Sequence, residues 1–169
     1  MFRRTFLVVL AMFLLSGTFA FAQEDIHKHL SCPLCGMDRA KFSHSRMLIE
    51  YEDGTSFGAC SLHCAAVELA TNIDKTPKMI CVGDYYSKQL IDAEKAVWVI
   101  GGSKSGVMTK RAKWAFEKRA DADKFIAENG GAIISFDQAI KAAYEDMYQD
   151  TKMIREKRKM MKMNKMQSK

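Results

Sequence analysis

The sequence predicts an α+β fold: two β-β-α-β units that share one core, plus a long C-terminal helix. Three observations predict it. Short β-prone runs separated by turn residues alternate with helical windows, and the same order occurs twice. Neither unit is large enough to bury much core alone, so the two should share one. From Asp137 onward, Ile140, Tyr144, Met147, Thr151 and Ile154 follow the i, i+3/i+4 spacing of one helix face.

The elements follow in order. Residues 47–51 (MLIEY) alternate and lead into Glu52-Asp53-Gly54, then residues 56–60 (SFGAC). Asp-Gly between two β-prone runs is a strong hairpin signal. Residues 61–71 (SLHCAAVELAT) read as a helix with Ser61 at its cap. Residues 79–82 make a third strand. In the second unit, 96–100 (AVWVI) is a strand, 101–106 a glycine-serine loop, and 113–117 (KWAFE) a strand. Residues 120–129 are a helix ended by Gly130-Gly131, and 132–136 (AIISF) a strand. After Arg155 the apolar pattern dissolves, and the tail reads as a frayed basic extension.

The divisions are therefore 1–22, 23–82, 83–140 and 141–169. Residues 1–22 have Arg3 and Arg4, an apolar run from Phe6 to Leu15 and Ala20-Phe21-Ala22. This is the pattern of a secretory signal peptide cleaved after Ala22, since the run is shorter than the ~20 residues a spanning helix needs. A periplasmic location follows, where disulfides persist. Charge is split along the chain. Residues 23–150 hold 16 Lys/Arg against 19 Asp/Glu, while 151–169 hold eight Lys/Arg and one Glu. Export makes nucleic acid a poor partner. The basic tail suits loose contact with an anionic membrane surface.

Four of the five cysteines fall in two pairs, Cys32/Cys35 (C-x-x-C) and Cys60/Cys64 (C-x-x-x-C). Gly36 permits a tight knuckle, and the second pair shares the first turn of a helix, so all four can reach one tetrahedral ion. The positive helix end should favour thiolate at Cys60 and Cys64. Two disulfides are the bland alternative. Four thiolates suit zinc, but Met37 places a thioether two residues from Cys35, and soft ligands select Cu(I). His44, close after the knuckle, and His63, beside Cys64, are further candidate ligands. Met108 reads as core, as does the odd thiol Cys81. His27 and His29 read as solvated. Five methionines in 151–169 are a second place for soft-metal chemistry. No Ser/His/Asp or paired-carboxylate arrangement argues for an enzyme, and a thiol-disulfide oxidoreductase would set its C-x-x-C at a helix start.

The segments C-P-L-C-G-M (32–37), G-D-Y-Y (83–86), I-D-A (91–93), G-V-M (106–108), and Ala122, Phe125 and Gly130-Gly131 resemble the NosL family of periplasmic copper chaperones. That resemblance implies a pair of β-β-α-β units and Cu(I) held by Cys35 and Met37. It implies a copper-dependent client enzyme or copper transporter as partner. The Cys60/Cys64 pair is not general to that family. With Cys32 and Cys35 it is similar to the treble-clef metal segments called TRASH domains. The expectation is thus a Cu(I) chaperone that hands on its ion by thiolate–thioether exchange. The alternatives are a structural four-cysteine zinc site and a thiol-disulfide redox protein.

Overall fold

The computed structural model describes residues 24–167; the expected signal peptide lies outside them. Eleven elements run in order: α1 (Glu24–Lys28), β1 (Met47–Tyr51), β2 (Ser56–Ala59), α2 (Leu62–Thr71), β3 (Pro77–Gly83), β4 (Leu90–Asp92), β5 (Val97–Ile100), β6 (Lys113–Phe116), α3 (Arg119–Asn129), β7 (Ala132–Ile134) and α4 (Phe136–Gln167). The two β-β-α-β units are β1-β2-α2-β3 and β5-β6-α3-β7. Each forms an antiparallel sheet with its first strand in the middle: β2-β1-β3-β4 in one and β6-β5-β7 in the other.

The first hairpin forms as its sequence dictates. Met47 lies opposite Ala59 and Glu50 opposite Ser56. Gly54 turns at φ +81, and Asp53 Oδ1 accepts from the Thr55 amide at 2.8 Å and its hydroxyl at 2.6 Å. Ser61 takes the N-cap position of α2 with extended backbone, but its side chain makes no cap bond.

One core runs through both units. Met47, Ile49 and Ala65 come from the first, Trp98, Phe116 and Phe125 from the second, and Ala139 of α4 closes it. Asp84 staples the units together. Its Oδ1 accepts from the Glu117 amide at 2.8 Å and its Oδ2 from the Tyr86 and Ser87 amides. The Tyr85 amide donates to the Ala115 carbonyl, and the Tyr85 ring packs edge-on against Trp114 and Phe125.

Three features differ from the sequence expectation. Residues 24–28 are a helical turn, not merely a polar lead-in. The short strand β4 joins the first sheet, because Leu90 to Asp92 pair with Gly83 to Cys81. The last helix continues through Gln167 and is 32 residues long, since Lys, Arg, Met and Glu are all good helix formers without an apolar stripe. No helix among the described residues is long and apolar enough to cross a membrane.

The turn α1 exists to deliver a carboxylate. Asp25 Oδ2 accepts from Arg39 Nη2 at 2.7 Å and Arg46 Nε at 2.9 Å, and Asp25 Oδ1 accepts from Arg46 Nη2 at 3.0 Å. Both arginine side chains are fully buried. Burial pushes the Asp25 carboxyl up, but the bonds and charges of Arg46 and Arg39 outweigh it and hold its pKa below the ordinary 3.8. Asp25→Asn keeps the shape and removes the charge, leaving two buried guanidiniums uncompensated. It should cost about 3–5 kcal/mol, read as a lower urea midpoint. A depressed carboxylate stabilises fully above its unfolded pKa, and that contribution is lost as pH falls through the lower folded value. The wild-type midpoint should therefore drop on acidification below about pH 4, and the Asp25→Asn midpoint should respond less.

Candidate metal centre

The knuckle closes on itself. The Cys32 amide donates to the Met37 carbonyl at 2.9 Å, and the Gly36 amide to the Cys32 carbonyl at 2.8 Å. Gly36 sits at φ +76 with open space where a Cβ would be, so the turn needs its backbone freedom rather than its small size. Ser31 and Asp38 bridge the loop base. The second pair stands where β2 runs into α2: Cys60 just after the strand, Cys64 in the first turn of the helix.

The fold brings these pairs together. Cys35 Sγ is 3.4 Å from Cys60 Sγ, and Cys60 Sγ is 3.8 Å from Cys64 Sγ. All four sulfurs lie within 4.8 Å of one another. All are free thiols, with Cys32, Cys60 and Cys64 buried and Cys35 half-buried. A tetrahedron with metal–sulfur distances of 2.3 Å has edges of about 3.8 Å, so the donor set fits one tetrahedral ion with little rearrangement.

The thiols also polarise one another. Hydrogen bonds from Cys35, Cys60 and Cys64 hold Cys32 far below the ordinary thiol value, against burial. Cys60 and Cys64 are pushed up, first because each donates to Cys32. This corrects the expectation of thiolate at the helix start: three neighbouring donors outweigh the helix end. For Cys35, the bond to Cys32 raises the pKa, but bonds from Cys60 and Cys64 bring it down to about 7.

The remaining candidates fall in two places. Met37 and His44, both half-buried, line one wall of an open cavity of about 550 Å³ at whose edge Cys35 sits. Burial, and then the charge of Lys88, push the His44 pKa down, which keeps the ring neutral. It packs 5.5 Å from the Trp114 ring. His63 faces elsewhere. Its Nδ1 is 3.7 Å from Asp150 Oδ2 of α4, and both atoms are buried without a hydrogen bond. Cys81 is a buried thiol of β3 raised to about 11, first by burial. His29, expected in solvent, is half-buried and bonds Ser56 Oγ at 3.0 Å.

Three further methionines border the cavity, two of them from the Met-rich tail that the sequence marks for soft-metal chemistry. Met108, read as core, lines the cavity from a loop at φ +61, an uncommon backbone state for a side-chain-bearing residue. Met153 and Met161 line it from α4. Arg158 Nη2 donates to the Cys35 carbonyl at 2.9 Å and ties α4 to the knuckle. Only the docking of α4 tells which of the tail methionines face the cysteines, and no sequence signal sets that rotation.

The protonation pattern has a measurable consequence. Binding to all four sulfurs must expel the Cys60 and Cys64 protons. Cys35, at about 7, adds about half a proton at neutrality, so affinity for Zn(II) should fall between about a hundredfold and a thousandfold per unit drop in pH there. Calorimetry in buffers of different ionisation enthalpy would count them directly.

Comparison with known proteins accords with this architecture. The crystal structure of the copper chaperone NosL from Shewanella denitrificans is similar at a TM-score of 0.51 and 23% identity, covering 63% of this chain and 87% of that one. At that identity the likeness carries the fold. No curated protein matches the chain. The NosL family profile matches residues 23–144, most of the chain and both pairs of cysteines, and the chain belongs to the NosL family.

Proposed function

We propose that this protein is an exported Cu(I) carrier, with no catalytic activity of its own. It would pass its ion to an extracytoplasmic copper enzyme or copper transporter by thiolate–thioether exchange. The observation that carries this reading is the asymmetry of the cysteine cluster. Three sulfurs are buried, while Cys35 is half-buried and borders a cavity whose walls include Met37, Met108 and His44. Thioethers and neutral imidazole are soft or borderline donors suited to Cu(I), and thioethers are poor donors for zinc. A low-coordinate ion at Cys35 leaves room for an incoming ligand before the old ones depart. The Shewanella structure is titled a copper chaperone, which supports the same reading. The secretory pattern of residues 1–22 supports export, and the basic tail supports transient contact with an anionic membrane surface.

A second reading rests on a specific observation too. Sulfur separations of 3.4 and 3.8 Å suit a closed tetrathiolate zinc site. Cys32, Cys35, Cys60 and Cys64 would then hold zinc and stabilise the fold, and the methionines would be bystanders.

Met37→Leu discriminates between them. It keeps volume and apolarity, a swap that costs under ~1.5 kcal/mol even in cores. On the carrier reading, Cu(I) affinity falls at least about tenfold, ~1.4 kcal/mol, while zinc affinity stays put. Cys35→Ser should abolish tight Cu(I) binding. Competition against a chromogenic Cu(I) chelator measures both variants. Unchanged Cu(I) affinity in Met37→Leu, with zinc that resists Cu(I) in protein purified from the periplasm, would sink the carrier reading and support the structural zinc site.

A further inference from the structure

The outward face of α4 carries a pattern that the metal centre does not use. Tyr144, Tyr148, Lys152, Arg155, Lys159 and Lys162 stand at i, i+4, i+8, i+11, i+15 and i+18. On a helix of 3.6 residues per turn they share an arc of about 80° and form a stripe about 27 Å long. All six are exposed, Tyr148 at 76%. None of the four cations has an ion pair among the described residues. No acidic residue falls inside the stripe. The nearest, Glu145 and Glu156, lie at its flank, and Glu145 is held by Arg111 at 3.2 Å. Met153, Lys157 and Met161, which border the cavity, lie about 140 to 220° round the helix from the middle of the stripe.

We infer that this face of α4 is a docking surface for an anionic lipid bilayer, on which the helix lies flat. The inference deepens the membrane contact proposed above by naming the face that meets the lipid, and it does not depend on the bound metal.

Two observations favour a bilayer over an acidic protein. The first is the single sign of charge along a straight line. A bilayer rich in anionic lipid is uniformly negative over any such length, and each Lys or Arg near it strengthens binding about fivefold. Protein surfaces intersperse both signs, and a face shaped for one would carry acids among its bases. The second is the pair of tyrosines in line with the cations. A tyrosine ring has an apolar body and a polar tip, and it settles at the level of the lipid headgroups. The Lys and Arg stems can lie along the same boundary while their charged ends reach the phosphates. No helix among the described residues can cross a membrane, so the contact is peripheral.

Tyr148 to Lys162 lie beyond residue 144, where the family match ends. The surface is thus a device of this chain's own extension. It also sets an orientation. Lipid covers one side of α4 and the body of the protein the other, so the cavity beside Cys35 stays clear of the lipid and open to an incoming ligand.

The test is co-sedimentation of the full mature chain with vesicles of phosphatidylcholine alone, and of an equal mixture of phosphatidylcholine and phosphatidylglycerol. The protein should bind the mixed vesicles and not the neutral ones, and more weakly as salt rises. Arg155→Gln/Lys159→Gln/Lys162→Gln should weaken binding at least about tenfold. Lys41→Gln/Lys78→Gln/Lys104→Gln, which removes the same charge from exposed positions on the body, should change it less than about twofold. Tyr148→Gln should weaken binding while leaving its salt dependence in place. Cu(I) affinity, read by chelator competition, should be unchanged in every stripe variant, so the docking face and the carrier reading stand or fall separately. No binding to the mixed vesicles would overturn the docking face, as would equal loss in the two triple variants. Polyglutamate that displaces the protein from the vesicles at equal charge concentration would assign the face to an acidic protein instead and overturn the bilayer.

Discussion

The cysteine centre depends on a buried charge cluster that contains no cysteine. Arg39 follows Met37 by two residues and reaches under the knuckle. Its guanidinium donates to the Ala59 carbonyl at 3.1 Å, the Met47 carbonyl at 3.0 Å and the His29 carbonyl at 2.9 Å, as well as to Asp25. Ala59 is the residue before Cys60. A single rigid planar group thus fixes the knuckle to the strand end that bears the second cysteine pair. Arg46 performs the neighbouring task, donating to the Ser43 and Lys88 carbonyls. Two buried cations are tolerable because Asp25 neutralises one charge and backbone carbonyls accept the remaining donors. Gly58 completes the arrangement: a Cβ there would come within 2.8 Å of Arg39 Cζ and within 2.5 Å of the His29 side chain.

This explains which parts of the site were legible in the sequence. The C-x-x-C-G-M knuckle and the C-x-x-x-C turn are local devices. Their spacing alone predicts that each pair of thiols can share an ion, and the Asp53-Gly54 hairpin brings β2 back beside β1. The spacing also predicts that the two pairs meet on one ion, as their sulfurs do, but the residues that hold them together are invisible in a linear reading. Asp25 sits in a polar lead-in that has no apolar period, and nothing in the sequence distinguishes Arg39 from a surface arginine. Likewise β4 is three residues long, too short for an alternation to register. The two β-β-α-β units were readable because strand alternation and glycine stops are written into each segment.

The thiolate assignment shows a similar limit. Helix-end electrostatics points to Cys60 and Cys64, and it is a sound rule for an isolated thiol. Here the thiols are close enough to donate to one another, and a hydrogen bond at contact distance outweighs a diffuse end charge. The mutual bonds lower the Cys32 pKa and raise those of Cys60 and Cys64, so they favour charge at the buried knuckle thiol over the helix start. Without an ion the cluster is a knot of mutually hydrogen-bonded thiols. With an ion it becomes a ligand set, and the protons leave.

The long helix then links the two units in a way that neither sheet does. Asp146 accepts from Lys113 Nζ at 2.7 Å and from Arg111 Nε at 2.9 Å, and Asp150 Oδ1 accepts from the Lys110 amide at 2.9 Å. These contacts seat the first half of α4 on the second unit. Two turns later, Arg158 reaches the Cys35 carbonyl of the first unit. The half-buried sulfur of the cluster is thus flanked by an element that is bonded to the second unit as well. The helix also packs against α2 of the first unit, which carries Cys64, so it rests on both units. Cys35, the half-buried sulfur, is bordered by the far half of α4 through the Arg158 bond to its carbonyl, while the three other sulfurs are buried in the core.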